Sequence, residues 1–180
     1  MRATSSSPGE ADPGRLARAA RGLGRAHDAL TEAGMRLAMA GLAGIVAAYV
    51  YEVVARYAFD APTRWSADLV SYLLLFVTFM AMPEVTRRGG HVAVTVMVER
   101  LPPRVRGAIA RAVAAAGALI CLGLAELSAD ETSRQFQREV RMMAAWPVQK
   151  GWISIWIAYG FAGSALHFAR LAVSPEREEG

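Results

Sequence analysis

The 180-residue chain is 54% hydrophobic and 20% charged, with a mean hydropathy of +0.25 and a formal net charge of +4. Its one cysteine, Cys121, excludes a disulfide framework and a CxxC metal knuckle. The basic balance does not signal nucleic acid, because the arginines flank apolar runs, which is the pattern of membrane anchoring. The hydrophobic excess over a soluble domain is modest, but the charges cluster and leave long uncharged gaps. The distribution predicts an all-α membrane protein with four transmembrane helices, both termini in the cytoplasm, and amphipathic helices at the interface.

Residues 1–34 form a polar lead. The stretch 1–14 is rich in Ser, Pro and Gly and is expected to be disordered. From Arg15, the apolar positions Leu16, Ala19, Ala20, Leu23, Ala26 and Leu30 recur at helical spacing with Arg15, Arg18, Arg21 and Arg25 between them. That pattern predicts a basic amphipathic helix lying on an anionic membrane surface. The apolar run that follows is too long for a signal-peptide core, so the first span is expected to stay as an uncleaved anchor.

The membrane domain is expected over residues 35–173, with spans at about 35–59, 66–86, 107–129 and 151–169 and a cytoplasmic tail at 174–180. In the first span the uncharged core from Leu37 to Tyr51 is shorter than the ~20 residues a bilayer needs. Glu52 therefore falls within or just below the interface, where Arg56 stands four residues on in the favourable Glu-before-Arg order. Tyr49, Tyr51, Tyr57 and Phe59 gather at the same end as an aromatic belt. Asp60-Ala61-Pro62-Thr63 is a turn. Trp65 marks the start of the second span, where Ser66 or Asp68 is expected to cap the first helical turn. Near its far end Glu84 precedes Arg87 and Arg88, and is expected to reach headgroups with them; Pro83 should kink or loosen that turn.

The segment 91–98, His-Val-Ala-Val-Thr-Val-Met-Val, alternates like a strand, yet Val94, Met97, Val98 and Leu101 also form a helical stripe. A helix satisfies its own backbone at a membrane and a lone strand does not, so a short interfacial helix is expected. The third span is rich in Ala and Gly, which lets helices approach closely in lipid, and holds Cys121 as a small apolar residue. Its helix is expected to continue to Arg141 with pairs Asp130–Arg134 and Gln135–Glu139, until Trp146-Pro147 breaks it. The fourth span opens with Trp152 and Trp156 and ends near His167.

Lys and Arg number six in residues 1–36, six in 87–111 and two in 167–180, against two in 56–68 and four in 126–150. Fourteen against six places the termini and the central loop inside.

Chemistry-bearing residues are sparse. His27, His91 and His167 all fall at the predicted cytoplasmic side; a haem held by His91 and His167 from two spans is a remote reading. No serine or cysteine has a base and an orienting acid nearby, and no GxGxxG or P-loop motif occurs, so no catalytic, substrate-binding or metal residues, and no cofactor, are assigned. Glu52 as a single buried acid would suit a small proton-coupled multidrug exporter, but it lies near a span end beside Arg56 and discontinuous midplane helices are not evident. An accessory subunit of a larger membrane complex is the remaining reading.

Arg56-Tyr57-x-Phe59, Pro62, Trp65, Asp68-Leu69, Thr78-Phe79, Arg88-Gly89-Gly90-His91-Val92-x-Val94, Leu101-Pro102 and Trp146-Pro147 followed by Gly151-Trp152 resemble, in order and spacing, the small permease subunit of tripartite ATP-independent periplasmic (TRAP) transporters. The similarity covers about residues 35–172. Two positions depart from the pattern: Asp68 stands where Glu is usual, and Thr95 where Asp is frequent. The resemblance implies a bacterial inner-membrane, non-substrate-binding subunit that braces a large permease subunit. Its other partners would be a periplasmic substrate-binding protein and membrane lipid, and the transported solute an organic acid. Glu52, Arg56, Tyr57, Trp65 and Asp68, with Arg88, His91, Trp146 and Pro147, would then be structural or partner-interface residues.

Overall fold

The computed structural model describes residues 13–88, 102–141 and 148–173. They form four helices: α1 Pro13–Phe59, α2 Ser66–Arg87, α3 Pro103–Gln137 and α4 Lys150–Val173. Among the described residues there is no strand, only a single bridge between Arg141 and Gln149. Three helices are long and apolar enough to cross a membrane, Gly22–Phe59, Ser66–Arg87 and Val105–Gln137. α4 is not one of them, because Trp, Tyr, Gly, Ser and His dilute its aliphatic content.

The lead and the first span are one rod. α1 runs 47 residues without a break, about 70 Å at 1.5 Å per residue, where a surface helix followed by a separate span was expected. Its buried positions are Thr31, Gly34, Ala38, Gly41, Ala48, Glu52 and Ala55, with Ile45 half-buried between them. The steps alternate three and four, the 3.5-residue repeat of a helix that buries one narrow seam. Small side chains along that seam let α2 approach closely. A Cβ added at Gly41 would lie 2.8 Å from a Val77 methyl.

α3 repeats the device. Ala114, Ala118, Cys121, Ala125, Ser128, Thr132 and Gln135 form its inward row, and that row faces α4. Cys121 is buried there with Ala165 and Phe168 of α4, and Met82 of α2 packs alongside. The helices therefore neighbour one another in the order α1, α2, α4, α3. α1 and α3 flank the layer, each with most of its circumference outward.

α2 and α4 meet through missing atoms. Pro83 cannot donate to the Phe79 carbonyl, four residues earlier, and Gly160 of α4 packs where that carbonyl is exposed: a Cβ there would lie 2.7 Å from the Phe79 oxygen. One turn on, a Cβ at Gly163 would lie 2.8 Å from Pro83 itself. α2 nevertheless continues through Pro83 to Arg87.

Several local expectations change. Trp65, not Ser66 or Asp68, occupies the cap position of α2, and no side chain caps it. α3 stops at Gln137 short of Arg141, with Glu139 in the left-handed region at φ 48°. Asp130 and Arg134 pair at 2.6 Å. Gln135 turns from Glu139 to donate to Glu131 at 3.0 Å and accept from Ser154 of α4 at 2.8 Å, a contact that ties α3 to α4. Of the stretch 1–14 expected to be disordered, Pro13 and Gly14 open α1 instead; residues 1–12, the 91–101 segment, and Trp146 with Pro147 lie outside the described residues.

Candidate functional site

Polar side chains gather at the two ends of the helix layer. At the end of α1, the Glu52 carboxylate is 7% exposed although it sits on a helix whose neighbours face outward. Arg56 Nη2 donates to Glu52 Oε1 at 2.6 Å, the intrahelical pair that the spacing predicts. The other oxygen is taken by the turn: the Thr63 N–H donates at 3.1 Å, the Ser66 hydroxyl at 3.0 Å, and the Thr63 hydroxyl as well. One acid thus fixes the α1–α2 connection, and Ser66 serves Glu52 instead of capping its own helix. Asp60, at φ 49°, turns the chain, and the Ala61 N–H closes onto the Ala55 carbonyl at 3.0 Å.

The remaining expected residues at this end take lesser places. Trp65 packs against Tyr51 with ring centroids 5.8 Å apart. Tyr57 is 83% exposed, available to lipid or a partner. Asp68 lies in the first turn of α2, where a negative charge is favourable against the helix dipole.

At the opposite end Glu84 is 1% exposed, so it does not reach headgroups. It stays down because both oxygens are held: Arg87 Nε and Nη2 clamp Oε2 and Oε1 at 2.7 Å each, and Arg88 Nε adds a third bond to Oε1 at 2.7 Å. The bidentate fork matches carboxylate geometry, and the two guanidinium groups reach outward in its place. Arg87 lies within electrostatic reach of Asp28 and Glu32 on α1.

Beside this clamp α1 and α4 touch. Arg170 holds Asp28 through Nη1 to Oδ1 at 2.5 Å and Nη2 to Oδ2 at 3.2 Å. His27 and His167 face each other with ring centroids 4.1 Å apart and planes 40° apart. His167 is 3% exposed, and its Nε2 lies 3.0 Å from the Thr31 hydroxyl. The sequence offered only a remote pairing of His167 with His91 and no partner for His27. The signal that could have found this cluster was charge complementarity, Asp28 beside one histidine and Arg170 one turn after another, but it becomes legible only once α1 and α4 are known to meet.

Of the expected residues, the structure gathers Glu52 and Arg56 into one network and sets Arg88 on Glu84. His91, Trp146 and Pro147 are outside the described residues. Nothing in these two clusters resembles a nucleophile with its base; both are charge and hydrogen-bond ties between helix ends.

No curated protein matches the chain. A family model for the DctQ component of tripartite ATP-independent periplasmic transporters matches residues 45–177, from the middle of α1 past the end of α4. With that match over most of its length, and with helices apolar enough to cross a bilayer, the chain belongs to this family of small TRAP permease components, a transporter component family and not a family of enzymes.

Proposed function

We propose that the chain is the small, non-substrate-binding subunit of a TRAP-type secondary transporter that imports an organic acid, and that it braces a large permease subunit in the bacterial inner membrane. A periplasmic binding protein would deliver the solute to that assembly. The observation that carries the bracing role is the division of surface on α1 and α3. Each buries one seam of small residues and turns its large apolar side chains outward, Leu42, Val46 and Val53 on α1 and Leu119, Ile120 and Leu122 on α3. Inside the layer, close helix contacts through Gly41, Gly117 and Gly160 leave the middle filled with protein, and the buried acids are tied at the ends. Such an interior supports the reading of a rigid brace.

The membrane domain of this reading has four spans over residues 35–173, with both termini and residues 89–101 on the cytoplasmic side. α4 qualifies as the fourth span by length and charge: 24 residues reach about 36 Å, and no Asp, Glu, Lys or Arg occurs between Lys150 and Arg170. Its lower hydropathy fits a helix that lies between α2 and α3 and presents Gly160, Ser164 and Ala165 to protein, not to lipid. The arginine bias sets the direction.

Photo-crosslinking residues placed at Val46 and at Ile120 in membranes containing the whole transporter test the role. A covalent adduct with a much larger membrane subunit from either helix supports it. Absence of any such adduct from both, together with dye export by the isolated chain in proteoliposomes, would replace it with the small-exporter reading.

A further inference from the structure

The contact between the start of α1 and the end of α4 contains more than packing requires. One ligand atom from each of His27, Asp28 and His167 lies within 4.8 Å of the other two. Two imidazoles and a carboxylate are donors suited to zinc and its borderline neighbours. Neither ring nitrogen of His27 makes a well-formed hydrogen bond among the described residues; the Gly163 backbone alongside serves at most as a weak acceptor for one of them. Buried polar atoms are normally satisfied, so the ring nitrogen that does not face Gly163 asks for a partner that is not part of the chain.

Thr31 prepares the second ring. Its hydroxyl hydrogen is donated to the His27 carbonyl at 3.0 Å, so toward His167 Nε2, also at 3.0 Å, its oxygen acts as acceptor. That arrangement puts the proton of His167 on Nε2 and the lone pair on Nδ1. A hydrogen bond at one ring nitrogen that orients the other is the usual outer support of a metal-binding histidine. The carboxylate is similarly half-committed. Arg170 holds Oδ1 at 2.5 Å and Oδ2 only at 3.2 Å, so Oδ2 can turn to a cation while Arg170 keeps the other oxygen.

We propose that His27, Asp28 and His167 bind a divalent transition-metal ion, zinc by donor chemistry, which pins the start of α1 to the end of α4. Donors around a tetrahedral zinc with bonds of about 2.0–2.1 Å stand roughly 3.3–3.5 Å apart. The widest pair therefore closes by up to about 1.5 Å on loading, a side-chain adjustment between helices already in contact. The fourth position is left to water. Arg170 and Arg87 beside the site weaken the attraction for a cation, so the site is one of moderate affinity whose consequence is helix pairing and not catalysis. The site goes beyond the subunit role proposed above and is independent of it.

The test is calorimetric titration of zinc chloride into the full-length, detergent-purified chain carrying no polyhistidine tag, repeated with cobalt chloride to read the visible absorption of the bound ion. One ion per chain is expected. His27→Asn and His167→Ala should each weaken binding at least about tenfold and abolish the cobalt spectrum, while His91→Ala leaves both unchanged. If His167→Ala does not fold, His27→Asn decides alone, since that ring makes no well-formed hydrogen bond and its weak contact to the Gly163 backbone is one an asparagine amide can replace. Absence of stoichiometric binding overturns the proposal. So does full binding by His27→Asn, or loss of binding in His91→Ala.

Discussion

Gly160 on α4 sits against the carbonyl oxygen of Phe79 on α2, where a Cβ would come within 2.7 Å. The oxygen is the one that Pro83 leaves without its helical donor, so a breaker on one helix and a missing side chain on the next are halves of one contact. Gly160→Ala should overpack this crossing and cost about 1–3 kcal/mol. Gly123→Ala is the control: nothing lies within 4 Å of its added Cβ, and relief of a helical glycine should stabilise α3 by up to ~1 kcal/mol. Thermal melts of the two variants in detergent should move in opposite directions, and parallel shifts would contradict this account of the α2–α4 contact.

Glu52 accepts from Arg56, Thr63 and Ser66, so Glu52→Gln removes the charge that three groups converge on and should lower the melting temperature. Because those partners belong to the chain itself, the affinity of the assembled transporter for its solute should stay unchanged. Solute-binding measurements on the complex check the second half; a clear affinity change would turn Glu52 from a turn-fixing residue into part of a transport path.

Glu84 is 1% exposed and holds both Arg87 and Arg88. Glu84→Gln leaves one oxygen for two guanidinium groups. The cost should be about 1–3 kcal/mol, toward the low end because both arginines are partly open to solvent. Arg88→Ala, which removes only the more exposed partner, should cost less. Equal losses in denaturation of the two variants would mean that the second arginine and not the first secures the acid.

The proposed orientation is open to labelling in whole cells. Once Cys121 is replaced by alanine, cysteines at Thr63 and Gln137 should react with a membrane-impermeant maleimide from outside, and a cysteine at Gly90 should react only after lysis. Thr63 and Gln137 sit at or beside the ends of α1, α2 and α3, so each label reads a helix terminus. The reverse pattern would invert the topology.

Much of this architecture was legible in the chain because it depends on neighbours along the chain. Uncharged runs set where α1, α2 and α3 are apolar enough for a membrane, and the pairs Glu52–Arg56 and Asp130–Arg134 followed from helical spacing alone. Where two local solutions competed, spacing was not enough: Gln135 had an acid four residues away on either side, and the one it chose was settled by Ser154 reaching in from α4. The small residues of α3 announced close packing, but not against which helix.

The sequence by itself determined the helical class, where the apolar runs and their polar flanks fall, and the family to which the chain belongs, since hydropathy and i,i+4 geometry are properties of one segment at a time. Only the tertiary structure decided that the helices neighbour in the order α1, α2, α4, α3, that Glu84 is buried, and that His27 meets His167 and Asp28 meets Arg170 across more than a hundred residues. Those contacts depend on the relative depth and rotation of two helices, and these are fixed by which glycines and alanines let the backbones come together.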